Sequence, residues 1–182
     1  MELKEKKEYC SDDYWRLPEG ERAELIHGQL YAMAPPGFLH QKLVMEISAA
    51  IHRFIKEKHG NCEVIPAPFA VNLDKEDKNW VEPDISVICD KEKITERGCV
   101  GAPDLIIEVV SPSTRKADYC TKYMLYAESG VKEYWIVDPK RQTTMIYRFM
   151  EDFAPVIYPF AAETESAVLP GLLVCIRKML EG

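Results

Sequence analysis

The chain has 182 residues, 47% of them apolar, with three Trp, nine Tyr and six Phe, enough to bury one substantial core and to suggest a single domain over residues 1–182. A formal net charge of −7 excludes a sequence-blind polyanion binder, whose affinity would rest on a generally basic surface. Six cysteines, at 10, 62, 89, 99, 120 and 175, show no CxxC or CxxH spacing, which excludes the common zinc modules. With no apolar run near ~18 residues and no leader-like segment, a cytoplasmic protein without membrane attachment is expected, its cysteines reduced and unbridged.

Residues 1–10 are charged at their start and are expected to fray. SDDYWRLPEGE then reads as a short helix or turn capped by Ser11 and interrupted at Pro18-Glu19-Gly20. The next stretch, AELIHGQLYAM, predicts a β-hairpin turning at His27-Gly28, with Glu24 near the start of its first strand. From Phe38 to His59 the apolar residues Leu43, Val44, Ile47, Ile51, Phe54 and Ile55 recur at helical spacing. Their common direction is also that of His40, whereas His52 and His59 point to water, and Gly60 is expected to end the helix at C′.

CEVIPAPFAVN is a β segment that Pro66 and Pro68 confine to an edge or bulge. VEPDISVI and PDLIIEVVSP follow as two central strands, separated by KEKITERGCVGAP with room for one helical turn. Alternation places Glu82, Asp84 and Ser86 on one face of the first strand, and Asp104, Ile106, Glu108 and Val110 on one face of the second. A carboxylate buried on such a face needs a cation, a hydrogen-bond network or water.

Ser111-Pro112-Ser113-Thr114 ends the second strand and caps a helix running to Gly130. On that helix Asp118, Lys122 and Tyr126 share one side, nearly opposite Ala117, Cys120, Met124 and Ala127. The helical wheel leaves open whether Lys122 faces solvent in a plain Asp118–Lys122 pair or faces a cleft. VKEYWIVDP and TTMIYRFM form a hairpin, and PVIYPF with VLPGLLVCIRKML adds a strand and a short apolar segment or helix. The basic runs His52-Arg53 to Lys58-His59, Arg115-Lys116 and Lys140-Arg141 read as solvated faces. The layout is that of an α/β or α+β sheet with helices upon it.

Acids on adjacent strands with a nearby lysine meet the needs of metal-assisted phosphodiester cleavage. Mg²⁺ prefers oxygen ligands and keeps several waters, it polarises phosphate and acidifies bound water, and a lysine can stabilise the charge that develops.

The segments ELIHGQLYAM, FLHQKL, VEPDISVI and PDLIIEVVSPSTRKADYCTKYMLYAESGVKEYWIVDP resemble the Uma2 family of restriction-endonuclease-like proteins, a branch of the PD-(D/E)xK nuclease superfamily. The match runs from about Glu24 to Asp138. The resemblance implies a mixed central sheet flanked by helices, with added N-terminal and C-terminal β-hairpins. It also implies an endonuclease that hydrolyses DNA, or RNA, with Mg²⁺ or Mn²⁺, acting as a homodimer. Carried over, Asp84 and Glu108 are the first two metal ligands, Glu24 a further acid that shares the metal, and His40 a residue contacting phosphate or positioning a water. The superfamily lysine lies two residues after the second acid, where this chain has Val110, so Lys122 is the substitute. Asp118 and Tyr126 become supporting residues, Asp118 holding Lys122. Asp104 also follows a proline and competes with Asp84, but four residues along a strand separate it from Glu108 by about 13 Å. The alternative is a nuclease-like module without catalysis that binds nucleic acid or a protein partner.

Overall fold

The computed structural model describes residues 7–74, 77–151 and 154–181. Of the stretch expected to fray, residues 1–6 lie outside the described residues, and Tyr9 is already tied down, its N–H donating to Gly28 O at 2.8 Å.

Helix α1 (Ser11–Trp15) precedes the hairpin β1 (Ala23–Ile26) and β2 (Gln29–Ala32), and α2 (Phe38–Glu57) follows. Five short strands come next: β3 (Glu63–Pro66), β4 (Val71–Asn72), β5 (Trp80–Val81), β6 (Ile85–Ile88) and, after a 3-10 turn, β7 (Ile94–Thr95). Then come β8 (Gly98–Val100), β9 (Leu105–Val109), a π-helical segment Ala117–Thr121 and α3 (Lys122–Ser129). The chain continues as β10 (Glu133–Asp138), β11 (Thr143–Arg148), β12 (Val156–Pro159), β13 (Thr164–Glu165), β14 (Leu173–Val174) and α4 (Ile176–Glu181).

The central sheet runs β12-β11-β10-β9-β6-β3, and a second six-stranded sheet runs β2-β1-β5-β4-β8-β7. In the central sheet β9 and β10 are parallel, with Glu108 opposite Ile136, and the other pairs are antiparallel. The alternation expected for β9 is observed. Leu105, Ile107 and Val109 pack with Leu43, Ile47 and Ile51 of α2, while Ile106 and Val110 pack with Tyr126 and Tyr134 on the other face. The fold is therefore a mixed α+β sheet with helices on both faces and a hairpin at each end.

The hairpin turn follows its residues closely. His27 (φ 48°) and Gly28 (φ 69°) both take the left-handed conformation, as a two-residue turn matched to strand twist requires. Pro66 ends β3 on the sheet edge, as its missing donor dictates.

Four expectations are corrected. VEPDISVI is two strands, because Pro83 cannot donate to a ladder: β5 belongs to the second sheet, β6 to the central one, and Asp84 lies in the crossing between them. Helix α1 is capped by Cys10, not Ser11; the Asp13 carboxylate accepts from Cys10 N at 3.1 Å. At the end of α2 the left-handed residue is His59 (φ 51°) rather than Gly60. The direction that the helical wheel leaves open is inward across the π segment and α3: Asp118, Lys122 and Tyr126 are buried, while Cys120, Met124 and Ala127 are exposed. Finally, Cys62 and Cys89 form a disulfide, because the β3–β6 register that sets Glu63 opposite Ile88 brings the flanking cysteines face to face. Cys10, Cys99, Cys120 and Cys175 are free thiols. Among the described residues no helix is long and apolar enough to cross a membrane.

Candidate active site

The crossing from β5 to β6 places Asp84 beside the C-terminal end of β9, and two reciprocal hydrogen bonds fix it there. Asp84 N donates to Glu108 Oε2 at 3.3 Å, and Val109 N donates to Asp84 Oδ2 at 2.8 Å. Each acid is thus held by the backbone of the strand segment that carries the other. His40, in the first turn of α2, reaches the same carboxylate, its Nε2 lying 3.1 Å from Asp84 Oδ2.

Lys122 enters from the opposite side on α3. Its Nζ lies 2.9 Å from Glu108 Oε1 and 2.9 Å from Glu24 Oε1, with Asp118 Oδ1 at 3.9 Å. Tyr126, one turn further along, donates its hydroxyl to Glu108 Oε1 at 2.7 Å. Glu24, on β1, also accepts from Glu82 N at 3.0 Å. The hairpin, the strand crossing, β9 and α3 therefore converge on one buried cluster.

The five carried-over residues Glu24, His40, Asp84, Glu108 and Lys122 all line one cleft of ≈ 510 Å³. Its walls include Met33 to Gly37, which lead into α2, and Ser111 to Thr114, which lead into the π segment. Asp118 and Tyr126 lie behind Lys122. Asp104 is elsewhere, at the other end of β9, paired with Lys132 at 2.6 Å and accepting from Cys89 N. Val110, two residues after Glu108, is buried in the apolar layer with Tyr126 and Tyr134, so that position belongs to the core.

Electrostatically the cluster is over-negative, since Glu24, Asp84, Glu108 and Asp118 face Lys122 and His40. Burial pushes the Glu108 carboxyl well above its ordinary range, against the pull of Lys122. Burial also pushes Asp118 up to about 6, against the pull of Lys122 and of Thr114. For Lys122 burial acts downward, but the charges of Glu108, Glu24 and Asp118 outweigh it and hold the ammonium well above its usual value. His40 shows the same contest: burial lowers it, and its bond and charge interaction with Asp84 raise it overall.

The donors nearest the cleft are carboxylate oxygens, which suit a hard divalent cation, and excess buried negative charge is what such a cation would balance. Among the described residues no three His, Cys, Asp or Glu side chains are close enough to hold an ion by themselves. Lys122 bridges Glu24 and Glu108 instead, so a cation here would take Asp84, Glu108 and waters as its ligands, as Mg²⁺ commonly does.

Two groups in or near the cleft do not announce themselves in the sequence. Arg22 pairs with Glu82 at 2.5 Å, both lining the cleft with Glu24, and Tyr14 donates to the same carboxylate at 3.1 Å. No spacing in the sequence announces this contact across 60 residues. Asp138, fully buried, clamps Arg115 through bonds of 2.6 and 2.8 Å, and the only sequence signal was an acid immediately before Pro139.

Residues 11–174 match the family model Uma2, described as "Putative restriction endonuclease". An uncharacterized protein of Synechocystis sp. is 27% identical over 139 residues, which cover 76% of this chain and 72% of that protein. A crystal structure of "a putative nuclease belonging to DUF820" from Anabaena variabilis is similar in fold, with a TM-score of 0.77 at 20% identity, covering 94% of this chain and 97% of that one. With the family model spanning most of its length, the chain belongs to the Uma2 family of restriction-endonuclease-like proteins.

Proposed function

We propose that the protein is a divalent-metal-dependent endonuclease that hydrolyses DNA phosphodiester bonds, using Mg²⁺ or Mn²⁺. The observation that carries this reading is the reciprocal clamp of Asp84 and Glu108, with Lys122 Nζ 2.9 Å from Glu108. Asp84 and Glu108 would hold the cation, with Glu24 as a further acid within the cluster. When bound, the cation supplies a Lewis acid for phosphate and a water of lowered pKa.

The chain's own groups take the remaining roles. Lys122, held protonated by three acids, acts as a fixed positive charge for the pentavalent phosphorus rather than as a base. Tyr126 and Glu24 fix the ammonium and the Glu108 carboxylate against each other. His40 orients Asp84 through Oδ2. Paired cuts on a duplex suit a twofold arrangement, so the active form is proposed to be a homodimer.

The test is plasmid and RNA cleavage with Mg²⁺ or Mn²⁺, alongside metal titration by calorimetry. Cleavage and metal uptake should both vanish in Asp84→Asn and Glu108→Gln. If the wild-type protein cuts neither polymer and takes up no metal, the proposal is wrong.

A second reading, a nuclease-like module that binds nucleic acid without turnover, draws on one observation: Val110 is a core residue, only 6% exposed, where the superfamily has its lysine. That reading predicts salt-sensitive nucleic-acid binding with no cleavage under any metal.

A further inference from the structure

Beside the cleft the chain builds a second, oppositely charged feature. Strands β9 and β10 run parallel with Val109 opposite Val137, so Asp138 lies at the same end of the sheet as the Asp84–Glu108 pair. The Asp138 carboxylate is fully buried and saturated. It takes Arg115 Nη1 and Nη2 at 2.6 and 2.8 Å, Tyr119 OH at 3.0 Å, and the backbone N–H groups of Lys140 and Arg141 at 3.1 Å each. One acid therefore locks the β10–β11 turn, the start of the helix and an arginine into a single rigid body.

That body displays cations. The guanidinium groups of Arg115 and Arg141 both lie against the Tyr119 ring, at 5.9 and 5.5 Å from its centroid. Arg141 remains 62% exposed, and Lys116 and Lys140 are exposed with no ion pair among the described residues. Asp138 sets one negative charge against Arg115 at 2.6 Å and Arg141 at 3.9 Å, so with Lys116 and Lys140 the body keeps a surplus of positive charge on a protein whose net charge is −7. The ledge adjoins the cleft directly, since Ser113, Thr114 and Ala117, which flank Arg115 and Lys116 in the chain, line the cleft wall.

We infer that Lys116, Lys140 and Arg141, braced by the Asp138–Arg115 clamp, form a ledge for the phosphate backbone of duplex DNA that leads the polymer into the Asp84–Glu108 cleft. The inference rests on the proposed nuclease reading for the identity of its ligand. It also answers a difficulty that reading faces. A polyanion must approach a cluster of four carboxylates, and a rigid cationic ledge at the rim supplies the local attraction that the overall charge denies. Rigidity matters because the flanking arginine and turn are already ordered before the phosphate arrives, so less side-chain entropy is lost on contact. Phosphate contacts of this kind position a duplex without reading its sequence.

The experiment separates binding from cleavage. Affinity of a fluorescein-labelled DNA duplex is measured by fluorescence anisotropy in EDTA across a salt series, for the wild type and for K116A/K140A/R141A. This variant keeps the Asp138–Arg115 pair, and circular dichroism checks its fold. Three lost phosphate contacts should make the slope of log K against log salt shallower by about 3 and weaken binding at least about tenfold at low salt. The control R53A/K56A/K58A removes another exposed basic face, on α2, and should change neither.

Unchanged slope and affinity in the triple variant, loss of slope only in the α2 control, or no wild-type duplex binding at low salt would each overturn the ledge. Plasmid cleavage by the wild type, scored separately, tells the two proposals apart. A slope loss without cleavage under any metal sustains the ledge and removes the nuclease, whereas cleavage with an unchanged slope does the reverse.

Discussion

Lys122 reaches Glu108 from a helix rather than from the strand that carries the acid, its Nζ 2.9 Å from Glu108 Oε1. Two residues after Glu108, directly after β9, stands Val110, packed with Tyr126 and Tyr134 in the apolar layer. The charge thus reaches this carboxylate from α3, and the position of Val110 fills the core.

Removing that charge should be costly. Lys122→Met keeps the volume but leaves Glu24 and Glu108 buried without their shared cation, and breaking a buried pair typically costs about 3–5 kcal/mol. Urea unfolding at neutral pH should show a loss of that size. A second change, Glu108→Gln, should recover part of it, because the uncompensated charge is then gone. If the double variant is as unstable as the sum of the single ones, Lys122 and Glu108 do not interact as their distance implies.

Asp84 separates structural from chemical roles. Its Oδ2 accepts from Val109 N, and the amide oxygen that Asp84→Asn introduces can accept the same bond. Asp84→Asn should therefore stay within about 1 kcal/mol of the wild type in urea, whereas Asp84→Ala strands a backbone donor and should lose about 1–3 kcal/mol. Both should lose metal-induced stabilisation, read as the rise in Tm with added Mn²⁺. Metal stabilisation that persists in both variants would place the cation elsewhere.

The pH dependence follows from the raised values. Asp118 has a folded pKa of about 6 against 3.8 for the free side chain, so between those values the folded state binds a proton that the unfolded state does not. Stability therefore falls as pH rises through this window, and Glu108, also raised, acts in the same sense. His40 agrees: its contribution is fully present below 6.5 and is lost as pH rises through its higher folded value. Asp104 and Asp138 oppose this only at lower pH. Burial raises both, but Lys132 and Arg115 respectively bring them below 3.8, so their contribution disappears as pH drops through those values. Unfolding midpoints should thus peak in mildly acid solution, and Asp118→Asn should flatten the decline on the way to neutral pH. A decline of undiminished slope in that variant would exclude Asp118 as its source.

Local chemistry made part of this arrangement legible in the sequence. The His27-Gly28 turn, the apolar face of α2 and the inward direction of His40 each depend on residues within a few positions of one another. The direction of Lys122 did not, because a wheel drawn at 100° per residue fails across the π segment, where Lys122 N bonds Ala117 O five residues back. The break at Pro83 was hidden for a related reason. Alternation looks the same in one long strand as in two short ones, and only the pairing of β5 with β1 and of β6 with β9 reveals the change of sheet. The Cys62–Cys89 bridge likewise depends on a nonlocal register.

Glu133 was legible only as a charge at the head of a strong strand, yet it is fully buried and organises the C-terminal segment. Its Oε2 accepts from Ala167 N at 2.7 Å, Val168 N at 2.9 Å and Ser166 Oγ at 3.4 Å, and its Oε1 accepts from the Trp135 indole. Glu133→Ala would leave these donors without their acceptor, at about 1–3 kcal/mol for each one that stays buried, so a loss of about 3 kcal/mol or more is expected in urea. The effect should spread to the cleft. The segment it anchors contributes Leu169, Leu172 and Val174 to the core beneath α2, and Lys42 of α2 donates to Leu180 O at 3.1 Å. Loosening this support should free α2 and with it His40. Hydrogen exchange should therefore quicken in residues 164–176 and in the first turns of α2, while Glu108 and Lys122, braced by β9 and α3, keep their protection. Faster exchange confined to 164–176 would show that α2 holds His40 in place without help from the C-terminal clamp.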